Sequence, residues 1–113
     1  MITSKMQKLK DEAYFRVLKA LEKSPQLTQR ALARETNISL GGINYCLKSL
    51  KEKGWIKIQN FQKSKNKLSY VYKLTPVGIS QKLVLAQRFL ILKLAEYESL
   101  EKEIEQLNSD LQK

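Results

Sequence analysis

The stretch Asn37–Trp55, NISLGGINYCLKSLKEKGW, decides how the rest of the chain is read. Ser39 stands where a helix N-cap is expected, and Gly54 stands where a helix is commonly closed. Between them, at 100° per residue, Leu40, Ile43, Leu47 and Leu50 gather on one side and are expected to face a core. The opposite side presents Gly41, Gly42, Tyr45, Lys48, Ser49 and Glu52, with Asn44 and Lys51 on a flank. The two glycines fall in the first turn, where each costs about 0.5–1 kcal/mol relative to alanine. Missing side chains there would let backbone N–H groups come close to a phosphate or a base edge. Cys46 lies beside the core face and reads as a small buried hydrophobe. No histidine, base or second cysteine accompanies it.

Upstream, TQRALARE (28–35) is a short helix capped by Thr28, with Leu27, Ala31 and Leu32 inward. Thr36-Asn37 breaks it, and asparagine tolerates a left-handed backbone. Two helices, short then longer, joined by about four residues, form a helix-turn-helix pattern. Further upstream, residues 8–23 place Leu9, Ala13, Val17, Ala20 and Leu21 at helical spacing, widened by Tyr14, Phe15 and Leu18. Ser24-Pro25 ends that helix.

Downstream, WIKIQNF (55–61) and LSYVYKL (68–74) alternate as strands do. The second sets Leu68, Tyr70, Tyr72 and Leu74 against Ser69, Val71 and Lys73, with both tyrosines expected inward. Between them QKSKNK (62–67) forms a basic hairpin tip. Thr75-Pro76 then opens a last helix that runs unbroken to about Leu111. Leu83, Leu90, Tyr97, Ile104 and Leu111 are spaced by seven, and Ala86, Leu100 and Leu107 follow three of them at a distance of three. Lys93 interrupts this seam. Residues 83–95 are apolar nearly all round, which predicts burial on more than one side.

The chain has 113 residues and a net charge of +10. Residues 1–95 carry 19 Lys and Arg against 5 Asp and Glu, whereas residues 96–113 carry 2 Lys against 6 acids. A strongly basic body with an acidic tail points to a polyanionic partner for the body and a separate task for the tail. One cysteine and no histidine fit a reducing, cytoplasmic setting. No signal peptide is read at the N-terminus, and the most apolar run, residues 83–95, is far shorter than the roughly 20 residues a membrane span needs. No cofactor is expected, no metal-ligand cluster is visible, and no set of groups suited to catalysis appears. The chain is therefore read as no enzyme and as having no membrane partner.

Three helices, a hairpin and a long helix give the fold class: mainly α with a β-hairpin wing. It reads as a winged helix-turn-helix over 1–75, followed by a long C-terminal dimerisation helix or coiled coil over 76–113. In such a domain the start of the helix over 39–53 reaches base edges in the major groove. The expected contacts to double-stranded DNA are Ser39, Gly41, Gly42, Asn44, Tyr45, Lys48 and Ser49 on that helix. Thr28, Gln29 and Arg30 open the preceding one, and Lys63, Lys65, Asn66 and Lys67 lie at the wing tip. Asn44 is the candidate for a bidentate bond to adenine, and the wing lysines for phosphates. Dimerisation is assigned to Leu83, Leu90, Tyr97, Leu100, Ile104, Leu107 and Leu111, because a helix this long cannot bury its distal seam against so small a body. Two other readings stay open: a winged-helix scaffold for protein partners, and a nonspecific architectural DNA binder.

The segments ISLG-x-x-NYCLKSL (38–50), KGWIK (53–57), SKNK (64–67), LTP-x-GI (74–79) and RFL-x-x-KLAEYE-x-L (88–100) resemble the small MarR-type winged-helix regulators found with exopolysaccharide loci. The resemblance covers about residues 10–107. It implies a homodimeric, cytoplasmic transcriptional regulator that binds a pseudo-palindromic operator near exopolysaccharide genes. Gly41 fits that family's pattern, whereas Gly42 stands where a longer, often basic residue is usual. The small-molecule effector of the larger MarR proteins is not carried over.

Overall fold

The structure, a computed structural model, describes residues 5–64 and 67–112, with side chains for 5–60 and 70–112. Its elements in order are α1 (Lys5–Lys23), α2 (Gln29–Thr36), α3 (Leu40–Glu52), β1 (Ile56–Ser64), β2 (Lys67–Leu74) and α4 (Pro76–Leu111).

The core forms where the apolar stripes of α1, α2 and α3 meet the base of the hairpin. Val17, Leu18, Leu32, Ile43 and Leu50 are fully buried there, with Tyr14, Leu21, Cys46, Leu47, Ile56, Tyr72 and Leu85 around them. Leu9 was expected inward but is 57% exposed, as residues 5–10 are exposed throughout. On α3 Cys46 is inside, as its reading as a small buried hydrophobe expects, while Leu40, expected on the core face, is 43% exposed at the rim of the first turn.

The helix ends follow their sequence signals. Thr28 Oγ1 accepts from Ala31 N at 3.1 Å, and Ser39 Oγ accepts from Gly42 N at 3.0 Å. Between α2 and α3, Asn37 takes a left-handed conformation at φ 58°. Gly54 closes α3 at φ 74°, and the Trp55 N–H donates back to Leu50 O at 2.9 Å.

β1 and β2 pair antiparallel with Ile56 opposite Leu74, Ile58 opposite Tyr72 and Asn60 opposite Tyr70, and a register shift falls between Gln62 and Ser64. Both strands run further out than the expected 55–61 and 68–74, so only residues 65–66 separate them. Val71, expected on the polar side, is 8% exposed. The edge of β2 is engaged at Tyr72, whose N–H donates to Pro25 O at 2.9 Å.

A compact knot joins α3, the hairpin and α4. Thr75 Oγ1 donates to Gly54 O at 2.6 Å, and Thr75 N donates to Trp55 O at 3.0 Å. The same Thr75 hydroxyl caps α4 by accepting from Gly78 N at 3.1 Å. A Cβ at Gly78 would lie 1.9 Å from Trp55 O, so this close approach admits only glycine. The sequence reading saw the Thr-Pro start of α4 but not the demand at Gly78.

The first half of α4 runs antiparallel to α1. Leu85 is buried, Phe89 packs on Phe15 with ring centres 5.5 Å apart, and Arg88–Asp11 (3.4 Å) and Lys82–Glu22 (2.6 Å) flank the contact. Within one chain, this half is buried on one side only, contrary to expectation. Leu83, Leu90, Ile91 and Leu94 are 53–68% exposed, with Leu83, Leu90 and Leu94 on the face opposite Leu85. Beyond Ala95 every described residue of α4 is exposed. The helix of 36 residues is about 54 Å long at 1.5 Å per residue. It gives the molecule extents of 73 × 29 × 21 Å and a radius of gyration of 18.8 Å, against about 13 Å for a compact chain of this length.

Candidate nucleic-acid interface

α3 lies across the front of the body, and the wing rises along one of its flanks. A cleft of about 400 Å³ opens between them, lined by Gln29, Asn44, Leu47, Lys48, Lys51, Ile58, Tyr70 and Tyr72. It joins three expected contact residues from two helices: Gln29 at the start of α2, and Asn44 and Lys48 on α3. The sequence had placed Lys51 on a flank without giving it a role, and the structure sets it on the wall of this cleft.

Tyr70 and Tyr72 are i and i+2 on one strand face and stack at 6.4 Å with an interplanar angle of 22°. Tyr72 is buried as expected, whereas Tyr70 is 49% exposed and lines the cleft. Sequence reasoning missed this because alternation gives the face of a strand, not how far out the face stays covered.

The expected outward residues of α3 divide into two groups. Gly41, Tyr45 and Lys48 are exposed along its crest. Gly42 and Ser49 fall on the flank away from the wing and are half-buried. Ser49 Oγ lies 2.8 Å from Tyr14 Oη, so its hydroxyl is already engaged by α1. A Cβ on Gly42 would come 2.7 Å from Ile38 Cγ2 and 3.1 Å from Ser39 Oγ, whereas one on Gly41 meets nothing within 4 Å. Gly42 thus serves the turn between the helices, and only Gly41 leaves an open surface. Thr28 and Ser39 spend their hydroxyls as caps, and Arg30 is exposed beside the start of α2. Lys65 and Asn66 lie outside the described residues, as do the side chains of Lys63 and Lys67.

The cleft has a positive character. Ion pairs among the described residues occupy Arg16, Lys82, Arg88 and Lys93, none of which lines it. Two neighbouring groups have shifted titrations. Burial raises the Tyr14 phenol above its ordinary value, with the Ser49 hydrogen bond opposing and Tyr45 reinforcing the rise. Burial likewise raises the Cys46 thiol, which favours the unreactive protonated form. Among the described residues no group of three or more His, Cys, Asp or Glu could hold a metal ion, and no helix is long and apolar enough to cross a membrane.

A family model described as "Winged helix-turn-helix DNA-binding" matches residues 10–57, which run from α1 through α3 to the first residues of the wing. No curated protein matches the chain in sequence. Solved structures match it in shape. A transcriptional regulator from Clostridium thermocellum superposes with a TM-score of 0.66 at 15% identity, over 87% of this chain and 97% of that one. The PcaV transcriptional regulator from Streptomyces coelicolor gives 0.64 at 17% identity, over 87% of this chain and 76% of that one. MarR of Staphylococcus aureus, solved with salicylate and kanamycin, gives 0.56 at 18% identity, over 85% of this chain and 67% of that one. Identities this low speak for the fold. The chain has the fold of MarR-type transcriptional regulators, built around a winged helix-turn-helix DNA-binding domain.

Proposed function

We propose that the protein is a sequence-specific regulator that binds double-stranded DNA as a homodimer. Residues 1–75 form the DNA-binding part and residues 76–113 the dimerisation helix. The observation that carries this reading is the cleft between α3 and the wing, where Asn44 stands beside Lys48 and Lys51, two cations without an ion pair among the described residues, on a strongly basic body. Asn44 has the amide geometry to read adenine, and Lys48 and Lys51 would neutralise phosphates. Gln29, Arg30 and the N–H groups opening α2 supply a second backbone contact. Gly41 gives the DNA access to the crest, where Tyr45 lies. Lys63, Lys65, Asn66 and Lys67 extend the wing along the duplex. Gly42 and Ser49 act indirectly, by closing the turn and fixing α3 on α1.

A dimer would present two α3 helices to successive major grooves about 34 Å apart, which calls for a pseudo-palindromic operator. The resemblance of segments 38–50 and 64–67 supports exopolysaccharide genes as targets and a cytoplasmic site of action. Fluorescence anisotropy with a random-sequence duplex at low salt tests the reading at its base. Binding that weakens steeply with added salt is expected. Absence of binding by a body this basic would leave the protein-scaffold reading instead.

A further inference from the structure

The exposed seam of α4 and the charge pattern along it together carry a statement about how two chains meet. Resting on the homodimer reading above, we infer that the α4 helices pair antiparallel about a two-fold axis near Ala95. The acidic end of each helix then lies on the basic body of its partner.

The apolar seam continues past the body without a partner inside the chain. Ile79, Leu83 and Leu90 are 53–62% exposed, and Leu100, Leu107 and Leu111 are 54–84% exposed. Two polarities would cover it. In a parallel pair each seam residue meets its own copy, which sets Lys93 against the partner's Lys93 and brings Glu96 near the partner's Glu101. Both are like-charge contacts.

An antiparallel pair centred at Ala95 sets Leu83 opposite the partner's Leu107, Leu90 opposite the partner's Leu100, and Lys93 opposite the partner's Tyr97. Every layer but that last one is then apolar on both sides. Lys82, which already holds Glu22, comes beside the partner's Asp110, and at the same offset Glu96 comes beside the partner's Glu96, where the Lys93 ammonium that each already holds offsets the repulsion. At larger scale, the segment 96–113 with six acids and two lysines lies along a body with 19 basic and 5 acidic residues.

A receiving groove exists. A hollow of about 380 Å³ lies between α1 and α4, lined by Phe15, Leu83 and Ala86, by Lys19 and by the Lys82–Glu22 ion pair. The distal half of a partner helix would fill it with apolar residues and bring a carboxylate to Lys19, which holds no ion pair among the described residues. Leu85, where α4 enters the core, lies ten residues from the axis, so the two Leu85 positions stand about 30 Å apart along the coil and the bodies do not collide at the crossing.

Cysteine pairs test the polarity. Cys46 is buried and stays out of the reaction. Under mild oxidation, an equimolar mixture of the Ile79→Cys and Leu111→Cys proteins is expected to give a disulfide-linked heterodimer, while Leu111→Cys alone stays unlinked. Efficient self-linking of Leu111→Cys would establish the parallel pair and overturn the inference, leaving the dimer itself intact. A dimer by sedimentation that links in neither experiment would place the interface elsewhere and also overturn it. A monomer at micromolar concentration would overturn the homodimer reading as well.

Discussion

A methyl group added at Gly42 would press on Ile38 Cγ2 at 2.7 Å, while one added at Gly41 meets nothing within 4 Å. Ile38 is β-branched and stiff, so it yields poorly. Gly41→Ala is therefore expected to stabilise the fold by about 0.5–1 kcal/mol, the usual helical gain. Gly42→Ala should lose that gain to overpacking and be at least about 1 kcal/mol less stable than Gly41→Ala in denaturant unfolding. Equal stabilities would remove the turn-packing role of Gly42. If Gly41 serves close approach of DNA, Gly41→Ala should weaken operator binding despite its greater stability. Gly78→Ala should be worse than either, costing about 3 kcal/mol or more, because its Cβ meets the backbone oxygen of Trp55. Tyr14 and Cys46 add a pH dependence. Burial raises both above their ordinary values of 10.0 and 9.0, so the folded state favours the protonated forms. Their stabilisation is complete below those ordinary values and is lost as pH rises through the raised ones. Tyr14→Phe should lower stability at neutral pH by removing the bond to Ser49, yet flatten the alkaline decline. An unchanged decline would show that Tyr14 does not contribute to it.

At the scale of elements, the proposed interface divides base reading and phosphate contact between Asn44 and Lys48, both on α3. Replacing Asn44 with alanine should relax preference at one base pair per half-site by about 1–3 kcal/mol and leave random-duplex affinity nearly unchanged. Lys48→Ala should weaken binding to all sequences and reduce the log–log salt slope by about 1. Equal losses on operator and random duplex for both variants would contradict this division. The elements themselves were largely legible in the sequence, since caps such as Thr28, Ser39 and Thr75 and the closing Gly54 are local signals. The rotation of α3 was read less well. Periodicity placed its core face to within about one residue and Cys46 read correctly as buried, but only packing decides that Leu40 stays at the rim. Ser49 looked outward for the same reason: nothing local announces that Tyr14, 35 residues away, takes its hydroxyl. The cleft needs α2, α3 and both strands of the wing in register, and Lys51 and Tyr70 became visible in it only once they were assembled.

Across the whole molecule, the contrast is between a basic, well-packed body and a long helix whose distal half is exposed throughout. The sequence announced both, through its charge asymmetry and its heptad spacing. It overstated the burial of residues 83–95, because one chain covers only one face of that stretch. A second chain covering the other face would give the protein a two-fold symmetry, which is what the proposed operator would mirror. The most direct measurement is selection of bound sequences from a random duplex pool with the intact protein. The account predicts enrichment of two inverted half-sites with centres about 10 base pairs apart, and loss of preference at one position of each half-site in the Asn44→Ala protein. A bound pool indistinguishable from the starting pool would contradict it.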